Sequence, residues 1–440
     1  MQLNIAKYIE HLDEIDSVRL CGNVTKVIGL VIESRGPAVS VGDICYIEGA
    51  KGLPPVAAEV VGFRDNSVLL MPFGDMRGVA PGSQVVSTGR PLMVKVGHGL
   101  LGRVLDGFGE PIDGRGPLVS QAKYSTQGKV PDPLSRRRIT EPLATGIKTI
   151  DSMLTCGRGQ RVGIFSGSGV GKSTLLGCMA KYCNADVVVV GLIGERGREV
   201  RDFIENNLGS YGMERSVIVA ATSDQPALVR INGALTATTI AEYFRDQGMD
   251  VLLVMDSVTR LAMSQREVGL AIGEPPTTKG YTPSVFSMLP KLLERSGTSE
   301  SGSITGFYTV LVEADDMNDP IADTARSILD GHIVLSRALA DGGHYPPIDV
   351  LASVSRLMPE ISSLEHIKCA QRAREILAVY RDAEDLINIG AYKKGSNPKI
   401  DQAVLKIEPL REFMKQSVDE KNSYEDSIER LTVLVNDGGV

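Results

Sequence analysis

Residues 166–174 read Ser-Gly-Ser-Gly-Val-Gly-Lys-Ser-Thr and follow directly on the apolar run 162–165. Alternating glycines let backbone N–H groups turn towards phosphate oxygens, and a helix that starts after them presents the positive end of its dipole there. The ammonium group of Lys172 can reach the β- and γ-phosphates of a nucleotide, and the hydroxyl of Ser173 can ligate Mg²⁺. Although Ser166 stands where the general pattern has Gly, the segment predicts a strand, a phosphate-binding loop and a helix, with an incidental glycine-rich turn as the alternative. The residues predicted to contact the nucleotide here are Gly167, Ser168, Gly169, Val170, Gly171, Lys172, Ser173 and Thr174.

Two acidic residues follow apolar runs that are typical of buried parallel strands. The run 250–256 ends in Asp256, and the run 186–194 is followed directly by Glu195. Because the carboxyl ends of parallel strands meet at the ligand-binding edge of an open α/β sheet, we expect both carboxylates beside the glycine-rich loop. Asp256 is the predicted Mg²⁺ partner, through a water molecule, and a simple turn aspartate is the alternative. Glu195 is predicted to polarise the attacking water, whereas Glu199, one helical turn later, is expected on a solvated face.

Five short motifs outside the glycine-rich loop are specific in combination. They are residues 191–200, 255–260, 273–276, 345–346 and 353–356. Together with the loop they resemble the rotary ATPase superfamily, and within it the export ATPases of flagellar and virulence type III secretion systems. The resemblance runs from the region of residue 20 to the C-terminus, and residues 280–286 favour the flagellar branch.

The resemblance implies roles for residues outside the loop. Arg356 matches the arginine that reaches into a neighbouring subunit's site, and a structural arginine at a strand end is the alternative. Tyr345 resembles the tyrosine that stacks on adenine, Phe413 is aligned with the same pocket by spacing alone, and Arg196 joins the nucleotide-contacting set. The predicted catalytic set is Lys172, Glu195 and Arg356, and the predicted metal ligands are Ser173 and Asp256.

The resemblance also implies an activity, cofactors and partners. The activity is Mg²⁺-dependent hydrolysis of ATP by a homo-oligomeric ring of six subunits that energises protein export. The partners are a stator-like regulator at the N-terminus, a central coiled-coil stalk protein, and export substrates with their chaperones. Segments 267–276 and 315–320 resemble those lining the central channel of the ring, with ordinary surface loops as the alternative. The implied location is the cytoplasm, peripheral at the inner face of the membrane.

The composition of the 440 residues, 42% hydrophobic and 23% charged, is that of a soluble globular protein. A net charge of −7 and the absence of Trp argue against a nucleic-acid partner. Six cysteines without a Cys-x-x-Cys pair suit a reducing compartment and, with five dispersed histidines, give no metal signature. No apolar run approaches the length of a membrane span, and the first residues lack the layout of a signal peptide.

The order of these patterns predicts an α/β fold with a P-loop, RecA-like domain built on a mostly parallel sheet. A small N-terminal β-barrel and a C-terminal helical domain complete it. The predicted divisions are 1–19 for an amphipathic helix, 20–92 for the barrel, 93–365 for the ATPase domain with its linker, and 366–440 for the helical domain. Strands of the sheet are expected near 161–166, 186–193, 216–222, 250–256, 304–313 and 331–336. The arginine triplet 136–138 is interpreted as a solvated linker, and a nucleic-acid patch is the alternative.

Three other functions share parts of this pattern. The catalytic subunit of a proton-translocating rotary ATPase shares every predicted site residue, but it normally has a different junction and C-terminal region. An RNA-translocating ring ATPase is disfavoured by the acidic charge of the chain. A non-catalytic nucleotide-binding subunit is disfavoured by Glu195.

Overall fold

The computed structural model describes residues 20–50, 52–312 and 319–436, and the helix predicted for residues 1–19 lies outside them. The first six described strands close into a barrel in the order β1-β2-β5-β4-β3-β6, which confirms the predicted β-barrel. These strands are β1 (Cys21–Ile28), β2 (Val31–Arg35), β3 (Asp43–Ile47), β4 (Val56–Arg64), β5 (Ser67–Pro72) and β6 (Gln84–Pro91). The barrel interior is filled by apolar side chains, among them Val24, Ile32, Ile47, Val60 and Leu70.

The start of the barrel differs from the sequence prediction. Residues 24–31 read as one β-rich run, whereas β1 ends at Ile28 and β2 begins at Val31. Gly29, between them, has a φ of 57°, in the left-handed region that glycine adopts without steric cost. The chain therefore reverses at Gly29, and β1 and β2 pair in antiparallel register.

A nine-stranded sheet forms the centre of the chain, in the order β19-β18-β12-β17-β15-β13-β14-β8 with β16 paired to β17. Neighbouring strands from β18 to β8 are parallel, and β19 and β16 run antiparallel to their partners. The strands are β8 (Val104–Leu105), β12 (Arg161–Ser166), β13 (Val187–Ile193), β14 (Ser216–Ala221), β15 (Asp250–Asp256), β16 (Gly297–Thr298), β17 (Ser303–Leu311), β18 (Gly331–Leu335) and β19 (Ile348–Ser355). All six predicted strands are present, and the sequence analysis did not name the two edge strands β8 and β19. Two small two-stranded sheets pair β7 (Met93–Val96) with β9 (Ala122–Ser125) and β10 (Pro142–Leu143) with β11 (Cys156–Gly157).

Helices cover both faces of the sheet, which is why strands such as β13 are apolar and buried along their whole length. In chain order they are α1 (Lys148–Met153), α2 (Lys172–Tyr182), α3 (Gly197–Asp202), α4 (Gly209–Met213), α5 (Ala227–Asp246), α6 (Val258–Ile272), α7 (Pro283–Leu293), α8 (Pro320–Ile328), α9 (Arg337–Asp341), α10 (Met358–Ile361), α11 (Leu364–Asn388), α12 (Pro398–Met414) and α13 (Tyr424–Asn436). One face packs against α5, α6 and α7. The other packs against α1 and α2 together with α11, α12 and α13. The predicted α/β fold class is therefore confirmed.

The C-terminal helices extend the core of that second face. Ala373 and Ile376 of α11 are buried there. Leu386, near the C-terminal end of the same helix, is 49% exposed, because the last turns of α11 extend beyond the core. Among the helices of the described ranges, none has both the length and the apolar character that a membrane span requires.

The arginine triplet is solvated only in part, because Arg137 and Arg138 are exposed whereas Arg136 is half-buried. Arg136 donates to the carbonyl oxygens of Ser296, at 2.8 Å, and Glu294. Arg137 donates to the carbonyl oxygens of Ser299 and Ser301, at 3.0 and 3.1 Å. The local sequence does not indicate these contacts, because the carbonyl partners are about 160 residues further along the chain.

A buried ion pair connects α5 to the segment that follows α7. Arg295 Nη2 lies 2.6 Å from Glu242 Oε2, and the two side chains are 5 and 6% exposed. The same guanidinium donates to the carbonyl oxygen of Thr126 at 2.8 Å and to the hydroxyl of Thr239 at 3.0 Å. Because every contact of this cation is desolvated, removal of its one carboxylate leaves a buried charge without compensation.

We therefore expect Glu242→Gln to destabilise the protein by about 3–5 kcal/mol and to lower its Tm. The matched control is Glu205→Gln, which removes the carboxylate of the exposed pair Arg201–Glu205 and should change the Tm little. Calorimetry of the three proteins measures the difference. Equal Tm values for the two variants would show that the buried pair contributes no more than a surface pair.

Candidate functional site

The glycine-rich loop connects β12 to α2 at the carboxyl ends of the parallel strands. Gly169 and Gly171 have φ values of 78° and 85°, both in the left-handed region. A Cβ on Gly171 would also lie 3.4 Å from the ring of Tyr345. Glycine is therefore required at the turn into α2, where a phosphate can approach the main chain and the helix terminus.

Lys172, the first residue of α2, lies between the two carboxylates predicted for the site. Its Nζ is 2.5 Å from Asp256 Oδ1 and 3.5 Å from Glu195 Oε1. Asp256 is the last residue of β15, and Glu195 follows the adjacent parallel strand β13 after one glycine. The sheet edge thus brings together the three charged groups that the sequence analysis selected.

Burial and mutual attraction set the protonation of this cluster. Burial lowers the pKa of the Lys172 ammonium, but the charges of Asp256 and Glu195 raise it by more, so the net shift is upwards. Burial raises the pKa of the Glu195 carboxyl to about 7. The positive charge of Lys172 lowers this pKa, and the negative charge of Asp256 raises it. A carboxylate that ionises near neutral pH is suited to exchange a proton with water.

Asp256 is held by a residue that the sequence analysis missed. The hydroxyl of Thr309, on β17, donates to Asp256 Oδ1 at 2.7 Å inside the core. β15 and β17 are parallel neighbours, and Met255 lies opposite Tyr308 in their register, which sets Thr309 beside Asp256. The sequence carries no local signal for Thr309, because its role depends on the order of strands in the sheet.

Like Thr309, Arg260 was not predicted to have a role at the site, although it belongs to the motif 255–260. It lies in the first turn of α6, and its charge lowers the pKa of Glu195. A Cβ on Gly194 would come within 2.8 Å of Arg260 Cβ, so this arginine crosses the turn that carries Glu195. Arg260 Nε is buried and has no hydrogen-bond partner within the described ranges.

A cleft of about 630 Å³ opens beside the glycine-rich loop, and Gly167 and Ser168 form part of its wall. Arg260 and Arg266 line it from α6, and Arg337 lines it from α9 while donating to the carbonyl oxygen of Ser168 at 3.0 Å. The concentration of guanidinium groups favours an anionic ligand at this edge of the sheet.

Gly167 and Ser168 are the predicted site residues in the lining of this cleft, and the other predicted contacts lie outside it. Tyr345 is 49% exposed beside the loop, whereas Phe413 is 6% exposed in the core that α12 shares with α2. Arg196 precedes α3 and faces solvent, with Nη1 3.7 Å from Glu199 Oε1. Arg356 follows β19, and within the described ranges its exposed guanidinium makes one long hydrogen bond, 3.3 Å to the carbonyl oxygen of Arg326. The nucleotide contacts of Tyr345, Phe413 and Arg196 and the role of Arg356 all stay predictions, and residues 315–318 of the predicted channel segment lie outside the described part.

Ser173 and Asp256 have the chemistry that Mg²⁺ requires. Ser173 is exposed in the first turn of α2, directly after Lys172, and supplies a hydroxyl oxygen. Asp256 supplies a carboxylate at the adjacent strand end. Since Mg²⁺ takes few protein oxygens and fills its octahedron with water and phosphate oxygens, this small donor set fits it.

Comparison with known proteins extends over most of the chain. Residues 146–355 match the nucleotide-binding domain of the ATP synthase alpha/beta family, residues 24–89 match the beta-barrel domain of that family, and residues 362–433 match the T3SS EscN ATPase C-terminal domain. The flagellum-specific ATP synthase of Bacillus subtilis (strain 168) is 56% identical over 428 residues, 97% of this chain and 98% of that protein. This chain belongs to the flagellar and type 3 secretion ATPase family. The type 3 secretion system ATPase of Xanthomonas euvesicatoria is also similar, at 50% identity over 95% of each chain.

Solved structures agree with this family membership. The assembled ATPase EscN from the type III secretion system of enteropathogenic E. coli is 45% identical, with a TM-score of 0.89 over 94% of this chain and 100% of that one. EscN in complex with its central stalk EscO gives a TM-score of 0.87 at 44% identity and the same coverage. The predicted family, the ATPase activity and the binding of a nucleotide by the central domain are confirmed.

The geometry predicts a titration near neutral pH in the nucleotide-free protein. Glu195 should take up a proton as the pH falls through about 7, and Lys172→Met should raise this pKa further, because the nearest opposing charge is lost. Infrared difference spectra of the protonated carboxyl band measure it, with Glu195→Gln as the reference that lacks the band. A band that is absent near pH 7, or that does not depend on Glu195, would contradict the assignment.

Proposed function

We propose that this ATPase works as a homo-oligomeric ring, six chains by family resemblance, which hydrolyses ATP with Mg²⁺ to energise protein export. One observation carries the proposal: the chain has a buried Lys172–Asp256–Glu195 cluster and also an arginine, Arg356, at the opposite edge of the same sheet. A chain with both halves of a shared site needs only copies of itself. That a 45% identical relative has been solved as an assembled ATPase supports this reading.

The polarity of β19 keeps Arg356 away from its own phosphate loop. Ser166, at the loop end of β12, pairs with Leu335, whereas Ser355 pairs with Gly331 at the other end of β18. The four residue steps of β18 between these two pairs separate the ends by roughly 13 Å. Arg356 therefore lies away from the phosphate loop of its own chain, which supports the proposal that it acts on the site of a neighbouring copy.

Within one site we assign the roles as follows. Lys172 neutralises charge that develops on the transferred phosphoryl group, and Glu195, as a carboxylate, orients the attacking water. Ser173 and Asp256 hold Mg²⁺, which supplies further positive charge to the phosphates when bound. Thr309 positions Asp256 through its hydroxyl. Tyr345, half-exposed beside Gly171, offers its ring to the adenine base.

Export through a flagellar or type III apparatus is the proposed use of this hydrolysis. Its support is the similarity to flagellum-specific and type 3 secretion relatives over nearly the whole chain, including a C-terminal domain of the EscN type. The proposed partners are a central stalk protein, a stator-like regulator, and export substrates with chaperones, at the cytoplasmic side of the membrane. Affinity capture with the full-length chain tests this set, and capture of a membrane-embedded proton channel in its place would favour a proton-translocating ATPase.

Lys172→Ala should weaken ATP binding and abolish turnover, because it removes the cation that lies at the start of α2 between Asp256 and Glu195. Lys181→Ala is the matched control, since Lys181 lies in the last turn of the same helix and its Nζ is 3.5 Å from Asp419 Oδ1. Calorimetric titration with ATP and a phosphate-release assay measure both effects. Wild-type affinity and turnover in Lys172→Ala would remove the basis of the site assignment.

Mixing two inactive chains tests the shared site. Glu195→Gln and Arg356→Ala should each lose activity, by about 10²–10⁴-fold for a positioned base and about 10³–10⁵-fold for an arginine supplied in trans. Co-assembled, they form some interfaces in which an intact Glu195 faces an intact Arg356, so phosphate release should recover. Native mass spectrometry verifies that the rings are mixed.

A chain carrying both substitutions is the control for this mixture. Combined with either single variant it forms no intact interface, so activity should stay at the background level. Mixed rings of the two single variants that remain as inactive as this control would contradict a role for Arg356 across the interface.

A further inference from the structure

Arg374, in the middle of α11, contacts the strand that carries Arg356. Its Nη1 and Nη2 each donate to the carbonyl oxygen of Ser353 at 3.2 Å. Nη2 also donates to the carbonyl oxygen of Met153, the last residue of α1, at 3.3 Å. One guanidinium of the helical domain thus joins β19 to the end of a helix that packs on the sheet.

The bonded carbonyl lies beside an irregularity in the pairing of β19. β19 is an edge strand that pairs with β18, and the register between them shifts between His332 and Val334. At this irregularity the N–H of Val334 donates to the hydroxyl of Ser353 at 2.9 Å. Arg374 adds a contact to the carbonyl oxygen of the same residue from the helical domain.

Arg356 follows Ser353 by three residues, so its position depends on this end of β19. The N–H of Arg356 donates to the carbonyl oxygen of Asp330 at 3.1 Å, which fixes its main chain. In the part of the chain that the structure describes, its guanidinium makes one hydrogen bond, 3.3 Å to the carbonyl oxygen of Arg326. The direction of the Arg356 side chain therefore depends mainly on the position of its backbone.

The chemistry of Arg374 suits a contact with carbonyl groups. Burial lowers the pKa of its guanidinium, and within the described part of the chain no carboxylate pairs with it. The planar fork of an arginine can hold two carbonyl oxygens at fixed angles, which a lysine, as a point charge, cannot do equally well. The two carbonyl groups of β19 and α1 are thus the principal polar partners that offset this desolvation.

We propose that Arg374 is a positioning residue that holds the end of β19 so that Arg356 reaches the nucleotide of the neighbouring copy. The inference rests on the proposed role of Arg356 in trans. It adds that the helical domain of one chain sets the activity of the next chain's site through this guanidinium. Arg374 touches neither nucleotide nor metal in this account.

Arg374→Gln should lower kcat by about 10- to 100-fold, the scale on which a misplacement of about 1 Å in a catalytic group acts. KM for ATP should stay unchanged, because Lys172 and Asp256 lie at the other edge of the sheet. Arg374→Lys should recover part of the lost kcat, since its ammonium still donates to carbonyl groups. An unchanged kcat in Arg374→Gln would overturn the inference.

Mixed rings assign Arg374 to one side of the interface. With Glu195→Gln, the Arg374→Gln chain contributes an intact Glu195 and receives an intact Arg356 from its neighbour, so activity should recover. With Arg356→Ala, every interface lacks a well-placed arginine, so activity should not rise above that of Arg374→Gln alone. Recovery with Arg356→Ala would overturn the inference, because Arg374 would then act within its own chain's site.

Two further measurements separate the possible failures. Glu195→Gln mixed with Arg356→Ala tests the shared site itself, and no recovery of activity in this mixture would overturn both proposals. If this mixture recovers activity but Arg374→Gln recovers with Arg356→Ala and not with Glu195→Gln, only the positioning role of Arg374 is overturned. His366→Gln is the matched control for lost stability, because His366 Nε2 bonds the neighbouring carbonyl of Ser152 at 2.7 Å, a group of α1 and not of β19. It should lower the Tm and leave kcat unchanged, and a drop in kcat equal to that of Arg374→Gln would overturn the positioning role.

Discussion

The Lys172 ammonium between two buried carboxylates is the interaction on which the rest of the site depends. Both carboxylates are largely desolvated, burial raises the pKa of Glu195, and the charge of Lys172 lowers it. Lys172 lies within 2.5 and 3.5 Å of them because α2 begins directly after the glycine-rich loop. The phosphates of a ligand would attract the same ammonium group. Ligand binding is therefore expected to weaken the attraction of Lys172 to Asp256 and Glu195.

The reversed direction of one edge strand separates the two halves of the chemistry. β12, β15 and β13 are parallel and end at one edge, where the loop, Asp256 and Glu195 meet. β19 is antiparallel and ends at the other edge, where Arg356 faces solvent. A parallel β19 would have ended beside the phosphate loop, whereas the observed direction leaves Arg356 exposed at the opposite end of the strands, where the proposed contact with a second copy needs it.

The helical domain is continuous with the core that supports the phosphate loop. Leu175 and Met179 of α2 share one apolar cluster with Leu410 of α12 and Leu431 of α13. The hydrogen bonds of Arg374 and His366 connect α11 to α1 and β19 beside this cluster. Because close-packed interiors transmit displacements, we expect a movement of the C-terminal helices to shift residues at both ends of the strands of the sheet.

The sequence by itself determined the phosphate loop, the six apolar strands and the carboxylates at their ends, because these features depend on local spacing and on the rule that parallel strands share a carboxyl edge. The tertiary structure decided which groups meet across that edge. Thr309 contacts Asp256 only through the order of strands, and Arg136 finds its carbonyl partners about 160 residues away. The position of Arg356 likewise depends on the direction of β19, which no local pattern encodes, since strand direction is set by the connection and by packing against its neighbour.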